Sequence, residues 1–327
     1  MKQAPGDLLN GALNKLETLI RLGVIAVRDA GDKDGVGLAL SKRYKQKEKL
    51  LQPYVDSPGA AIHHQGRYGR FMAEPMENYS SPHDCVKSRI AAGADRIKLI
   101  ATDIIDFKKG AVVQEPQMSA AEISEFVTAA KEFAKQTFAH ASGDAGIERV
   151  IDGGVDSVEH GFFIREDQLS RMRDRQIAWC PTFAPVQKQI DHADRLGWDE
   201  KTLSNLKKIL DGHALILSQA QRLGVAIVAG SDAGSYGVPH GFGLLFELEL
   251  MERAGLSPLS VINAATGNSS FRLGFRENFG QIKPGYQSRF IITRHSPLDT
   301  VSNLLKDKYI VCDGTPYDSR SINVAGL

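Results

Sequence analysis

The chain has 327 residues, 42% hydrophobic and 24% charged, with a formal net charge of +1. That is ordinary for a globular protein with room for one large barrel or two smaller domains, and it excludes a whole-chain electrostatic case for nucleic acid or an anionic membrane. No apolar run approaches the roughly 20 residues of a membrane span. Cys85, Cys180 and Cys312 are scattered and form neither a CxxC pair nor a disulfide framework, which fits a reducing, cytoplasmic location. The first seven residues lack the apolar core of a signal peptide.

Residues 8–22 predict an amphipathic helix with Leu8, Leu9, Ala12, Leu13, Leu16, Leu19 and Ile20 on one side, ended by Gly23. Val24-Ile-Ala-Val27 follows as a continuous apolar strand, the pattern of burial on both faces. Residues 32–52 are polar and basic (Lys42, Arg43, Lys45, Lys47, Lys49) and predict helix and loop with a solvated charged face. Gly59-Ala-Ala-Ile-His63 predicts a short strand, and 64–70 a polar loop holding Arg67 and Tyr68. A helix over 84–92 leads to the strand 95–101, with Lys98 in its middle. Ser119 and Glu122 have capping-box spacing for a helix running to about Lys135.

Residues 136–161 read strand, turn, short helix, turn, strand, and each strand closes on a histidine, His140 and His160. A helix over 166–175, a strand over 177–180, a long helix over 199–223 and a strand over 225–229 continue the alternation. The last of these runs into Gly230-Ser-Asp232-Ala-Gly234, and 243–254 and 258–265 are helical. From residue 280 the character changes. A Pro-Gly turn, the run Phe290-Ile-Ile292 and the strand Tyr309-Ile-Val-Cys312 predict a small β-structure outside the main domain, so the chain divides as 1–275 and 276–327. Strand–helix alternation implies a parallel sheet, open or closed into a barrel. The strands before the tail end near Arg28, His63, Lys98, His140, His160, Cys180 and Gly230. That is one short of the eight a closed barrel needs.

Ligands gather at the carboxyl ends of such strands. Lys98 lies between Ile97 and Leu99, so it faces away from them in a strand buried on both sides, where an unpaired ammonium is costly. It requires a carboxylate partner, a depressed pKa or conversion by CO₂ to a carbamate; the plain alternative is a lysine reaching out to solvent. Asp232 sits in a glycine-flanked turn and reads either as an exposed carboxylate at the sheet edge or as an Asx-turn residue. Two neutral imidazoles with anionic oxygen ligands suit zinc or another divalent ion, which acidifies bound water.

The ordered pieces Gly23-Val-Ile-Ala-Val-Arg-Asp29, Ile97-Lys-Leu, Phe138-Ala-His140-Ala, Val158-Glu-His160-Gly, Ala229-Gly-Ser-Asp232-Ala-Gly, Ala264-Ala-Thr-Gly-Asn268 and Gly280-Gln-Ile-Lys-Pro-Gly285 resemble the amidohydrolase superfamily, nearest its imidazolonepropionase-like and prolidase-like branch. The resemblance implies a (β/α)₈ barrel that hydrolyses carbon–nitrogen bonds in an amide, cyclic amide or dipeptide-like substrate. It implies metals held by a carboxylated Lys98, His140, His160 and Asp232, with Asp232 also shuttling the proton from a metal-activated hydroxide. His240, Tyr236, Arg67 and Tyr68 are candidates for substrate contact.

The chain departs from the family in three places. The His-x-His of the first barrel strand is missing, with no histidine before His63; the N-terminal half of the family's small β-sandwich is absent; and Ser288-Arg289 replaces the usual Ala-Asp after the Pro-Gly turn. The adjacent His63 and His64 cannot share one strand face, and they stand as candidates to reach the site from strand three. The expectation is a barrel without its first strand, a fragment of a longer protein, with part of a small β-sandwich and at most one tightly held ion. The alternative is a truncated, catalytically impaired barrel acting as a binding module. A metal-free phosphate-binding barrel is weaker, because the loop 230–234 carries an aspartate. The partner expected is a small-molecule substrate, with no nucleic acid and no membrane, and a homo-oligomer is compatible with the sequence.

Overall fold

A computed structural model describes residues 5–46, 52–275 and 278–320. Lys47 and Lys49 of the basic stretch, and residue 276 at the expected domain boundary, lie outside the described residues. Helix Pro5–Arg21 buries Leu16 and Leu19 against Val24, Leu40 and Val55. Strand β1 (Ala26–Arg28) pairs in parallel with β2 (Tyr54–Asp56). The strand expected at 59–63 is therefore displaced: the ladder uses 54–56, and of the expected stretch only Ile62 keeps a bridge, to Leu99. Pro58 has no N–H to donate and Gly59 takes φ +63, so the ladder breaks between the two.

Four further parallel strands lie side by side in chain order: β3 (Ile97–Ile100), β4 (Thr137–Ala141), β5 (Ser157–His160) and β6 (Ala178–Cys180). A bridge from Trp179 to Ile227 adds the segment after the long helix Glu200–Leu223. Side chains alternate as strand geometry requires. Ile97, Leu99, Ala139, Val158 and Trp179 join the helical side chains Phe126, Ile147, Met172 and Leu217 in one apolar core. Lys98, Phe138 and Glu159 face a cavity on the other side. Burial of each large side chain in that core contributes about 1.5–3 kcal/mol. Ser119 caps helix Ala120–Glu132 as its spacing predicts, accepting the Glu122 N–H at 3.1 Å.

Among the described residues, no strand pairs with the other edge of β1 or with the far side of Ile227. The cavity runs through this seam, between Val27 and Ala229, to Leu16 and Leu19 of the first helix.

The tail forms an antiparallel sheet of β7 (Arg289–Thr293), β8 (Lys308–Cys312) and β9 (Thr315–Asp318). Asp313 and Gly314 make the tight β8–β9 turn, both with positive φ, +53 and +81. Apolar packing at two places helps tie this sheet to the main body. Ile310 and Cys312 pack on Ile20 of the first helix. The turn Val301–Leu305 sends Val301 and Leu304 into the main core, while Glu252 accepts the Val301 N–H at 3.0 Å. No helix among the described residues is long and apolar enough to cross a membrane.

Candidate active site

β4 and β5 bring the two histidines together. Their registers align His140 with Glu159 and Ala141 with His160. His140 follows Phe138 inward by ordinary alternation. His160 does not: its predecessor Glu159 already occupies the inward position. A left-handed backbone at His160, φ +70, brings it to the cavity, and the two rings stand 4.7 Å apart between centroids. Gly161 extends the left-handed turn at φ +65, where a Cβ would lie 2.5 Å from the Trp179 indole nitrogen. That indole donates to the His160 carbonyl at 2.9 Å. Asp232 is also left-handed at φ +51, and its carboxylate accepts the Ser235 hydroxyl at 2.7 Å. Non-glycine residues in this region are uncommon and cluster where a site must aim a side chain.

Lys98 is buried, with Nζ 4.6 Å from the Phe138 ring centroid. Burial lowers its ammonium to about 8, opposed by the negative charges of Glu159 and Asp232 and reinforced by Arg28. Arg28 reaches in from β1, donates to Glu159 at 2.6 Å and to Ser157 at 2.8 Å, and lies over the Phe138 ring at 4.3 Å. The buried charges thus comprise two cations, Lys98 and Arg28, and two carboxylates, Glu159 and Asp232. This supplies the neutralising partners that Lys98 requires.

Both imidazoles are held neutral. Burial takes His140 well below its ordinary range, and the neighbouring His160 and Lys98 push it the same way. Burial, then Lys98, lowers His160 to about 3. Asp232 is raised by burial. His140 Nε2 is buried without a hydrogen-bond partner. Such an orphan atom costs about 1–3 kcal/mol unless something accepts its lone pair or proton. Two neutral imidazoles, one with this orphan nitrogen, beside an anionic oxygen suit a divalent cation. Among the described residues, no group of three or more His, Cys, Asp or Glu side chains is assembled to hold one.

Of the substrate-contact candidates, His240 lines the cavity. The Tyr68 ring lies 5.2 Å from that of His140, and its hydroxyl is raised to about 12 by burial and by Asp232. Arg67 and Tyr236 are not brought to the cavity. Arg67 is spent on Asp103, at 3.1 and 2.8 Å. Tyr236 is 41% exposed and stands edge-on to His192. His63 and His64 do not arrive either: the His63 ring nitrogens face the carbonyls of His64 and Ala73, and His64 is clamped between Glu77 and Glu122.

Sequence reasoning missed Arg28 and Glu159 as inward charges. The signal was there for Glu159, since Ser157 and Glu159 alternate with Val158 in a buried strand.

A parallel α/β sheet with histidines and carboxylates gathered at its carboxyl ends has its candidate site where ligands gather in barrel folds. The amidohydrolase family model matches residues 5–315, and the chain belongs to that family. It is 26% identical over 288 residues to ochratoxinase of Aspergillus niger, an alignment covering 80% of this chain. The chain spans only 58% of the length of that relative. A Xaa-Pro dipeptidase crystallised with methionine in its active site superposes with a TM-score of 0.81 at 23% identity, covering 97% of this chain and 81% of the dipeptidase. The structure of A. niger ochratoxinase superposes equally well, with a TM-score of 0.81 at 21% identity, covering 97% of this chain and 77% of that one. The fold is accordingly that of the amidohydrolase barrels.

Proposed function

We propose that this chain is a metal-dependent hydrolase for carbon–nitrogen bonds, acting on an amide, cyclic amide or dipeptide-like substrate. The observation that carries the reading is the meeting of Lys98, His160 and Asp232 around one cavity of about 460 Å³, with His140, whose Nε2 is an orphan, packed ring to ring on His160. That volume suits a small molecule. His140, His160 and Lys98 as its carbamate would hold one divalent ion, zinc being the best fit to imidazole and oxygen donors. When bound, the ion acidifies water and polarises the scissile carbonyl. Asp232 accepts a proton and returns it to the leaving nitrogen, a role that suits a carboxyl raised by burial. Arg28 and Glu159 keep the charge around Lys98 balanced, and His240 and Tyr68 flank the bound substrate. Three free, buried cysteines accord with a cytoplasmic location.

The unpaired seam between β1 and Ile227 supports the expected barrel without its first strand, and the tail sheet supports the expected part of a small sandwich. Without that strand we expect at most one ion per chain. Asp232→Asn should lower hydrolysis of a dipeptide and aryl-amide panel by about 10²–10⁴-fold with the fold intact. Turnover equal to the parent's would refute the proton-carrier role. A second reading, a binding module without turnover, is favoured by the open seam. It would be supported if the chain bound dipeptides by calorimetry yet hydrolysed none with zinc and bicarbonate supplied.

A further inference from the structure

We propose that Thr182 sets the tautomer of His160, and that Glu247 and His213 are positioning residues that hold Thr182 in place. This rests on the reading of His160 as a metal ligand and adds to it the device that presents the ligating nitrogen.

The argument begins with one proton. His160 Nδ1 lies 2.6 Å from the Thr182 hydroxyl, and that hydroxyl donates to the Pro181 carbonyl at 2.8 Å. A hydroxyl has a single proton and a carbonyl can only accept. With the proton directed at Pro181, the hydroxyl offers a lone pair to His160, so Nδ1 must carry the imidazole proton. Nε2 then keeps its lone pair for the cavity. A hydrogen bond at one ring nitrogen commonly fixes which nitrogen ligates a metal.

Thr182 has to be held for this to work. It is a β-branched residue at φ +54, a strained conformation that surrounding contacts must impose. Two buried side chains impose it. Glu247, fully buried on helix Phe242–Arg253, accepts the N–H groups of Phe183 at 2.9 Å and Ala184 at 2.7 Å with its two oxygens. His213, on helix Glu200–Leu223, lies 3.0 Å from the Pro181 carbonyl through Nε2 and therefore donates to it. The His213 ring is wedged by Phe162 at 4.1 Å, Phe183 at 4.7 Å and Trp179 at 5.2 Å. The turn after β6 is thus gripped on its carbonyl side by one helix and on its N–H side by another, with the threonine between. Neither Glu247 nor His213 lines the cavity, and both hold the turn that carries Thr182.

The test reads the tautomer directly. Histidine-labelled ¹⁵N protein, freed of metal by chelation, is examined by NMR, with His160 assigned by its loss in His160→Gln. The wild type should show Nδ1 protonated and Nε2 bare. Thr182→Val, which keeps shape and removes the acceptor, should shift the tautomer ratio by about fivefold, the weight of one neutral hydrogen bond. It should also weaken zinc binding in competition with a chelator by roughly 10–100-fold. Thr182→Ser should restore both. Glu247→Gln and His213→Phe should shift the ratio the same way by less. An Nε2–H tautomer in the wild type, or wild-type tautomer and zinc affinity in Thr182→Val while His160→Gln loses zinc, overturns the role of Thr182. Wild-type values in both Glu247→Gln and His213→Phe overturn the positioning role. A wild type that takes up no zinc sinks the ligand assignment alone, and the tautomer ratio still decides the role of Thr182.

Discussion

The turn after β6 delivers Thr182 to His160 and the loop after Ile62 delivers Tyr68 to His140, yet they are fastened by opposite means. The β6 turn is gripped by groups out of water: the Glu247 carboxyl on two backbone N–H groups and His213 on a carbonyl. The loop that carries Tyr68 is tied by charges nearer the surface. Asp103 accepts from Arg67 at 3.1 and 2.8 Å and from the Tyr68 N–H at 2.9 Å, and His64 sits between Glu77 and Glu122, each at 2.8 Å. The contrast teaches where rigidity is bought. The turn behind a candidate ligand uses hydrogen bonds shielded from salt, whereas the loop that carries Tyr68 uses ionic ties that water and ions weaken.

Breaking the buried grip should have the largest effect. Glu247→Leu leaves two buried N–H groups without an acceptor, and urea unfolding should show a loss of about 2–5 kcal/mol. A loss well under ~1 kcal/mol would mean the turn holds itself. Burial raises the Glu247 carboxyl to about 8 from 4.5, so the folded chain binds the proton more tightly than the unfolded one. Its contribution is complete below the unfolded value of 4.5 and is lost as pH rises through 8. Glu247→Gln should flatten that part of the stability profile.

Arg67→Ala comes next. It removes a forked pair to a nearly buried carboxylate, side-chain exposure 27% against 12%, and should cost about 1–2 kcal/mol. The loss should shrink in 1 M salt, unlike that of Glu247→Leu; equal salt dependence would erase the contrast between the two loops.

The smallest effect belongs to His64→Gln, about 0.2–1 kcal/mol near neutral pH. The Glu122 hydrogen bond, with Glu77 adding to it against burial, raises His64 to about 9. A raised imidazole stabilises fully below the unfolded value of 6.5, and that stabilisation is lost as pH rises through 9. Wild type and variant should therefore converge above that pH; a gap that persists there would show that His64 acts through packing.

Much of the scaffold was legible because its signals are local. The Ile-Lys-Leu alternation at 97–99 and the Ser119 cap each depend on residues within a turn or two and formed where they were expected, while the apolar run at 24–27 gave a half-buried strand shifted to 26–28. The third strand was misplaced because Pro58 and Gly59 break the ladder in a stretch whose apolarity alone reads as strand. The tail was read as a separate β-structure, and it does make its own sheet. Its packing on Ile20 and through Val301 joins it to the main body, a relation between residues about 290 apart that no local pattern carries.

The same division runs through the candidate site. By itself the sequence determined that Lys98 lies within one strand, that His140 and His160 close the next two and that Asp232 follows a later one, because strand order and side-chain alternation follow from composition and period. Only the tertiary structure decided that His160 reaches the cavity through a left-handed turn rather than by alternation. It alone set Arg28 against Glu159, 131 positions away. It alone brought a carboxyl from position 247 and a histidine from position 213 to hold the threonine behind that ligand. Backbone strain and long-range hydrogen bonds are imposed by packing around a closed core, and packing is settled only when distant segments meet.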